Sequence, residues 1–548
     1  MTNKPPLMEL DIPTADRGFY SGFAKSVAIP SKLLVSALIV WAIALPENAE
    51  TVLNALNGAI LKSFASWYVY VVAGFFVLCI GLALVPMTGR LKLGLSEDRP
   101  EFSRFSWFSM MFGAGIGGGM LTFATAEPMY HFADNPNVIL GQTTASGADN
   151  VTAAYVWSFL HWGFSAWACY ALVGLALAYF SYRRNLPLTV RSALTPLFGT
   201  RLSGPIGHVV DIVAVVATIL GVAQTLGFGV EQFIAGLNRV GLGDWIVQAD
   251  GKPSSAGIVL ALVVILGAST LSALSGVGKG IKWLSNLNMG LSLFLLGFFV
   301  LFGSTFFGFT ALFDGLVAYV VELPSLLFTV WHADGTETGD TLAAWQGGWS
   351  VFYWAWWIAF APFVGVFLAR ISRGRSIREY VLGAVIVPSL MCFVWFTLVG
   401  GTAIDMTLNG TAGDAISGAG QESQLFVMLD LMLSGGLAWM MAAIVVVLLL
   451  TYLVTTADSA ILIVNTINAA GEESPKGRAH IIFWGVALSL VVGGLLLVGG
   501  LGAIKTAMVI GALPFSLVMF LMCVGLAKAV IKDAIRARRG VPSLHSEA

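Results

Sequence analysis

Two stretches of this chain combine residue types that suit a small organic cation. Around residue 115 an apolar run is broken by glycines: Met111-Phe112-Gly113-Ala114-Gly115-Ile116-Gly117-Gly118-Gly119. Around residue 355 another run is packed with indoles and then meets proline: Trp354-Ala355-Trp356-Trp357-Ile358-Ala359-Phe360-Ala361-Pro362. Unpaired backbone at membrane depth is tolerated only where it lines a cavity or lies inside protein. Aromatic faces attract a cation that has no hydrogen to donate, such as a quaternary ammonium. Interrupted helices beside an aromatic cage point to carriage of a small cationic or zwitterionic solute.

The composition says what must position these residues. Of 548 residues 57% are hydrophobic and 11% are charged, with a mean hydropathy of +0.84. A soluble domain carries about 25% charge, so the chain is read as a polytopic, all-α integral membrane protein in a lipid bilayer. It has no basic patch interleaved with aromatics, which excludes nucleic acid as a partner. Cys79, Cys169, Cys392 and Cys523 all lie in apolar runs and read as small buried residues. The polar first thirty residues contain no signal-peptide pattern, so the N-terminus is expected to stay cytoplasmic.

Runs long enough to cross a bilayer, about 20 residues each, fall at 31–47, 66–88, 104–130, 152–182, 205–236, 256–275, 286–308, 345–370, 380–403, 435–465, 480–500 and 503–530. With the N-terminus inside, only Lys62, Arg239, Lys252 and Lys505 fall outside, and the other 25 of the 29 Lys and Arg residues fall inside. That asymmetry sets a multi-pass topology with both termini cytoplasmic, expected in a bacterial cytoplasmic (inner) membrane. Residues 311–331 are apolar but carry Asp314, Glu322 and Pro324, and read as an amphipathic helix along the outer interface. The glycine and indole runs occupy the third and eighth spans. They match in position if spans 3–7 and 8–12 are inverted five-helix repeats. The chain then divides into a tail (1–30), two N-terminal spans (31–100), a first repeat (101–308), a loop with the interfacial helix (309–344), a second repeat (345–530) and a basic tail (531–548). Lys528, Lys532, Arg536, Arg538 and Arg539 near the end read as positive-inside anchoring.

Four strings together resemble the betaine/choline/carnitine transporter family, over about residues 20 to 535. The glycine string continues to Ala126-Glu127-Pro128. The fourth span reads His161-Trp162-Gly163-Phe164-Ser165-Ala166-Trp167-Ala168-Cys169-Tyr170. The eighth runs from Tyr353 through Pro362-Phe363-Val364-Gly365 to Arg378-Glu379. The tenth carries Val454-Thr455-Thr456-Ala457-Asp458-Ser459. The resemblance implies a LeuT-type fold with two extra N-terminal spans, a homotrimer, and a trimethylammonium cage of Trp162, Trp167, Tyr170 and Trp357. Trp354 and Trp356 are further candidates. Phe360 stands where relatives often carry a tryptophan. On a helix at about 100° per residue, positions 162, 167 and 170 fall at roughly 0°, 140° and 80°, one broad face.

Choline-selecting relatives tend to carry aspartate where this chain has Gly119. Its absence favours a zwitterion: glycine betaine, then dimethylsulfoniopropionate or carnitine. The substrate's carboxylate would meet backbone N–H groups at Ala114, Gly115, Gly117 and Gly119. No cofactor is expected beyond Na⁺ as coupling ion. In sodium-coupled relatives the matching ligands are the carbonyls of Gly113, Ile116 and Tyr452 and the hydroxyls of Thr455 and Thr456, with Thr225 a candidate for a second ion. A threonine in a span also bonds its own helix carbonyls. Asp211, Glu231 and Asp458 keep a proton relay open, and proton-coupled choline uptake or substrate exchange is the alternative. An enzyme is not expected, because His131, His161, His208, His332 and His480 show no metal or nucleophile spacing. Nor is a channel expected, because no filter or charged ring is readable.

Overall fold

The computed structural model describes residues 8–115, 117–275, 280–472 and 477–539. Among these the chain is helical, with isolated β-bridges and no strand. The elements that matter below are α1 (Lys25–Ala44), α2 (Pro46–Leu84), α3 (Arg104–Gly115), α4 (Gly118–Ala133), α5 (Val151–Trp162), α6 (Phe164–Ala178), α7 (Pro205–Arg239), α8 (Ser255–Ser275), α9 (Gly280–Phe302), α10 (Thr305–Leu326), α11 (Glu337–Gln346), α12 (Phe352–Arg370), α13 (Ile377–Trp395), α14 (Gly435–Asn468) and α15 (Arg478–Arg538).

Eleven helices among the described residues are long and apolar enough to cross a membrane. They differ from the twelve expected spans for physical reasons. The third span is split into α3, of 12 residues, and α4, of 16. Neither half meets the length alone. The last two spans run together as the 61 residues of α15, bent where Gly499 (φ −144°, ψ 22°) and Gly500 (φ 63°, ψ −152°) leave the helical region. The positive φ of Gly500 would strain any side chain. α10 also meets the criteria, although its residues 311–326 fall in the segment read as interfacial. It is one-sided: Gly308, Ala311, Gly315, Tyr319 and Leu323 are buried, at helical spacing, whereas Phe306, Phe313, Val317 and Val321 are exposed. Length and apolarity do not distinguish a helix that crosses from one that lies flat.

α12 sits at the centre. Apolar on all sides, it is buried on all sides, and packs against α6, α7 and α15. It is entered through a π-helical turn, Gly347–Val351, after α11. α7 packs against α14 and α15, and α2 against α15 and α6. One sequence candidate for a proton relay is structural here. Asp211 on α7 accepts from Arg191 Nε at 2.6 Å and from the Arg191 backbone N–H at 3.1 Å, with both side chains buried. A paired buried carboxylate of this kind holds a loop to a helix.

Candidate functional site

The fourth predicted span is not one helix. α5 ends at Trp162, Gly163 adopts φ −97° and ψ −137°, and α6 begins at Phe164. A Cβ at Gly163 would lie 2.3 Å from the Phe159 carbonyl oxygen and 2.7 Å from the Phe393 ring, so the break requires glycine. It also overturns the angular argument for Trp162, Trp167 and Tyr170, which assumed a continuous helix. The last carbonyls of α5 lose their intrahelical partners, and Trp357 uses one of them: its Nε1–H donates to the His161 carbonyl at 2.8 Å.

The rings converge around this junction. Trp162 and Trp357 meet edge to face with centroids 5.0 Å apart. Trp356 stacks on Trp357 at 4.8 Å and meets Trp162 edge-on at 6.1 Å. Tyr170 closes on Trp357 at 6.0 Å and on Phe360 at 6.2 Å. Trp167 contacts Tyr170 at 5.5 Å. It therefore stands one ring further out than expected. Trp354 points elsewhere: with Trp157, Trp331, Gln346 and Ser350 it lines a separate small cavity. Phe123, Phe228 and Phe396 complete the aromatic surround and had no signal beyond their apolarity.

The glycine string ends α3 at Gly113, Ala114 and Gly115. Ile116 lies outside the described residues, so its carbonyl is not placed. Gly117 is extended (φ −114°, ψ −165°) and caps α4, leaving the first N–H groups of α4 without helical partners. Gly119 faces the cage directly. A Cβ there would lie 3.2 Å from Trp356 Cη2 and 3.7 Å from Trp162 Cη2.

Sequence reasoning missed the polar centre behind the cage. Glu127 on α4 is fully buried. Its Oε2 accepts the indole N–H of Trp162 and the hydroxyl of Tyr353, the latter at 2.5 Å. Its Oε1 lies 3.0 Å from His161 Nδ1 and 3.3 Å from His131 Nε2, and His161 Nε2 lies 3.0 Å from Ser350 Oγ. One donor atom from each of Glu127, His131 and His161 falls within 4.8 Å of the others, a spacing that a metal ion could also use. Here the three pair with one another, and His131 Nδ1 is left buried without a partner. The available signal was a carboxylate inside an apolar span, which is costly unless it has work to do.

The ion-ligand candidates are divided. Thr455 Oγ1 donates to its own helix, at 3.0 Å from the Thr451 and Tyr452 carbonyls, and accepts from Asn288 Nδ2 at 3.1 Å. Thr456 Oγ1 instead reaches the break, 3.5 Å from where a Gly117 Cβ would stand. The Tyr452 hydroxyl pairs with Ser292 at 2.7 Å. Thr225 Oγ1 accepts the indole N–H of Trp356 at 3.2 Å, which ties it to the cage. Asp458 is buried and accepts from Ser272 at 2.6 Å.

Comparison with known proteins covers nearly all of this chain. Residues 26–535 match the model of the betaine/carnitine/choline family transporter, BCCT. An uncharacterized transporter of Mycobacterium tuberculosis is 37% identical over 517 residues, 92% of this chain and 82% of the relative. The glycine betaine transporter OpuD of Bacillus subtilis is 34% identical over 91% of this chain and 93% of its own. The betaine/ectoine transporter LcoP of Corynebacterium glutamicum is 36% identical over 94% and 80%.

Proposed function

This chain belongs to the betaine/carnitine/choline family of membrane transporters, and from that premise we propose that it takes up a methylated onium zwitterion by sodium-coupled symport. Glycine betaine is the first substrate, then dimethylsulfoniopropionate or carnitine. The observation that carries the reading is the pair Trp162 and Trp357, drawn from different helices to 5.0 Å, with both indole N–H groups bonded away, so that what the rings offer a solute is π surface, packed here against each other and against Trp356. Each ring over a desolvated cation contributes about 0.5–2 kcal/mol. The names of two relatives, a glycine betaine and a betaine/ectoine transporter, agree with this substrate class. The substrate's carboxylate would meet the N–H groups at the start of α4. The protein would work by alternating access as a homotrimer in the bacterial inner membrane, its termini cytoplasmic.

Support for sodium is the approach of Thr456 to the break at Gly117. One ion entering at 100 mV releases about 2.3 kcal/mol, and a tenfold gradient adds about 1.4 kcal/mol. Two ions supply roughly 7 kcal/mol, enough to concentrate a neutral solute about 10⁵-fold. A second reading, proton coupling, is favoured by buried Asp458 four residues from the start of the threonine string. The test is a thermal-shift panel of glycine betaine, dimethylsulfoniopropionate, carnitine, choline and ectoine, with and without sodium. Stabilisation by glycine betaine that grows with sodium is the expected result. Stabilisation indifferent to sodium moves the coupling to protons, and no stabilisation by any onium removes the function.

A further inference from the structure

We infer that Glu127 is the fixed counter-charge for the onium head of the substrate, acting through the indole of Trp162 and the phenol of Tyr353, and that it makes the site prefer a permanent positive charge over the same shape without one. The inference rests on the cage reading and adds to it the group that sets charge selectivity. Four hydrogen-bonding neighbours surround the carboxylate. Trp162 Nε1 and Tyr353 Oη give their hydrogens to Oε2. His161 Nδ1 and His131 Nε2 face Oε1. Indole nitrogen can only donate, so Oε2 is an acceptor toward Trp162, and hydrogen bonds to an ionised carboxylate favour that form. No Lys or Arg makes an ion pair with Glu127 among the described residues; its ion-pair partners are the two histidines. The net charge of the centre is negative when Glu127 is ionised and both imidazoles are neutral, and burial works against that ionised form until a cation stands beside it. A buried, unbalanced charge is expensive, and a cation in the adjacent cage offsets that cost.

The geometry gives the substrate a direction. The Trp162 ring spans the site, with its N–H end on Glu127 and its Cη2 end beside Gly119. Glu127 and Gly119 belong to one helix, α4, whose N-terminal end carries positive partial charge. The field therefore runs from positive at Gly117–Gly119 to negative at Glu127. A zwitterion laid along Trp162 places its carboxylate at the start of α4 and its onium toward Glu127. Donation of the indole and phenol hydrogens to a carboxylate also makes both rings richer in electrons, which strengthens their attraction for a cation. This answers the lack of an aspartate at Gly119: the negative charge comes from further along the same helix, where it does not repel the substrate's own carboxylate.

The experiment compares glycine betaine with 3,3-dimethylbutyrate, its carbon isostere without the positive charge. Dissociation constants are measured on purified wild-type protein, Glu127→Gln and Glu127→Asp. In the wild type glycine betaine is expected to bind at least 100-fold more tightly than the isostere. Glu127→Gln keeps an acceptor for Trp162 and Tyr353 but removes the charge; the preference should fall at least tenfold, through weaker betaine binding with the isostere unchanged. Glu127→Asp, which keeps the charge, should retain most of the preference. Equal losses for both ligands in Glu127→Gln make Glu127 a structural anchor only and overturn the inference, as does an unchanged ratio. If Glu127→Gln does not assemble, wild-type protein labelled with ¹³C-glutamate decides. Glycine betaine, and not the isostere, should shift a labelled carboxylate stretch in infrared difference spectra. Identical spectra for the two ligands overturn the inference. A wild type that binds no methylated onium at all refutes the parent function and this inference with it.

Discussion

At the scale of single residues, the threonine pair divides into two roles. The hydroxyl of Thr455 is spent on the carbonyls of its own helix and on Asn288, whereas Thr456 approaches the break in the third span. Thr456→Ala is expected to reduce the stimulation of uptake by sodium at least tenfold, and Thr455→Ala by less. A sodium titration of uptake checks both, and the reverse order contradicts the assignment. Gly119 makes a second residue-scale prediction. A side chain there starts 3.2 Å from Trp356 Cη2, so Gly119→Asp must move that ring and adds a charge opposing a substrate carboxylate. Competition binding should show weaker glycine betaine and a shift of preference toward choline. Betaine affinity equal to wild type would contradict a carboxylate site at the start of α4. The indoles, the glycine string and the threonines were legible in the sequence because their types are unusual inside apolar spans. The ties were not: that Trp357 hydrogen-bonds to the His161 carbonyl, Trp356 to Thr225 and Trp162 to Glu127 depends on rotamers and on helices distant in sequence.

At the scale of elements, the breaks do the positioning. The interruption of the third span was readable as a run of glycines. The one in the fourth was not, because a lone Gly163 between Trp162 and Phe164 leaves hydropathy unchanged and the run reads as a single helix. Its cause is half local and half tertiary: a side chain there would meet the Phe159 carbonyl of its own helix, α5, and the ring of Phe393 on α13. Gly163→Ala is expected to destabilise the protein by about 1–3 kcal/mol through overpacking and to weaken onium binding, because Trp162 and the His161 carbonyl sit at the break. Thermal unfolding in detergent, read with and without glycine betaine, checks this. A variant as stable and as responsive as wild type would show that α5 and α6 need no break. The bend at Gly499–Gly500 falls at the boundary expected between the spans 480–500 and 503–530.

At the scale of the whole molecule, the chain is a multi-pass transporter whose central helix is surrounded by protein on every side. The broad plan was visible because membrane spans announce themselves by length and apolarity. The status of α10 was less so, because its exposed phenylalanines and valines satisfy the same criteria as a span. A coupled carrier and a channel differ in a property of the entire assembly. Reconstituted in liposomes with a sodium gradient, the protein should accumulate labelled glycine betaine above the external concentration, saturably, and lose it when the gradient is dissipated. Equilibration without accumulation would contradict a coupled carrier.

The most direct test of the central claim is equilibrium binding of radiolabelled glycine betaine, in sodium, to purified wild-type protein and to Trp357→Ala. Loss of a ring worth about 2 kcal/mol corresponds to roughly 30-fold weaker binding, and the account predicts a loss of at least that size in a variant that elutes like the parent and is assayed below its own unfolding transition. Saturable binding of equal affinity in the two proteins would contradict an onium held between Trp162 and Trp357.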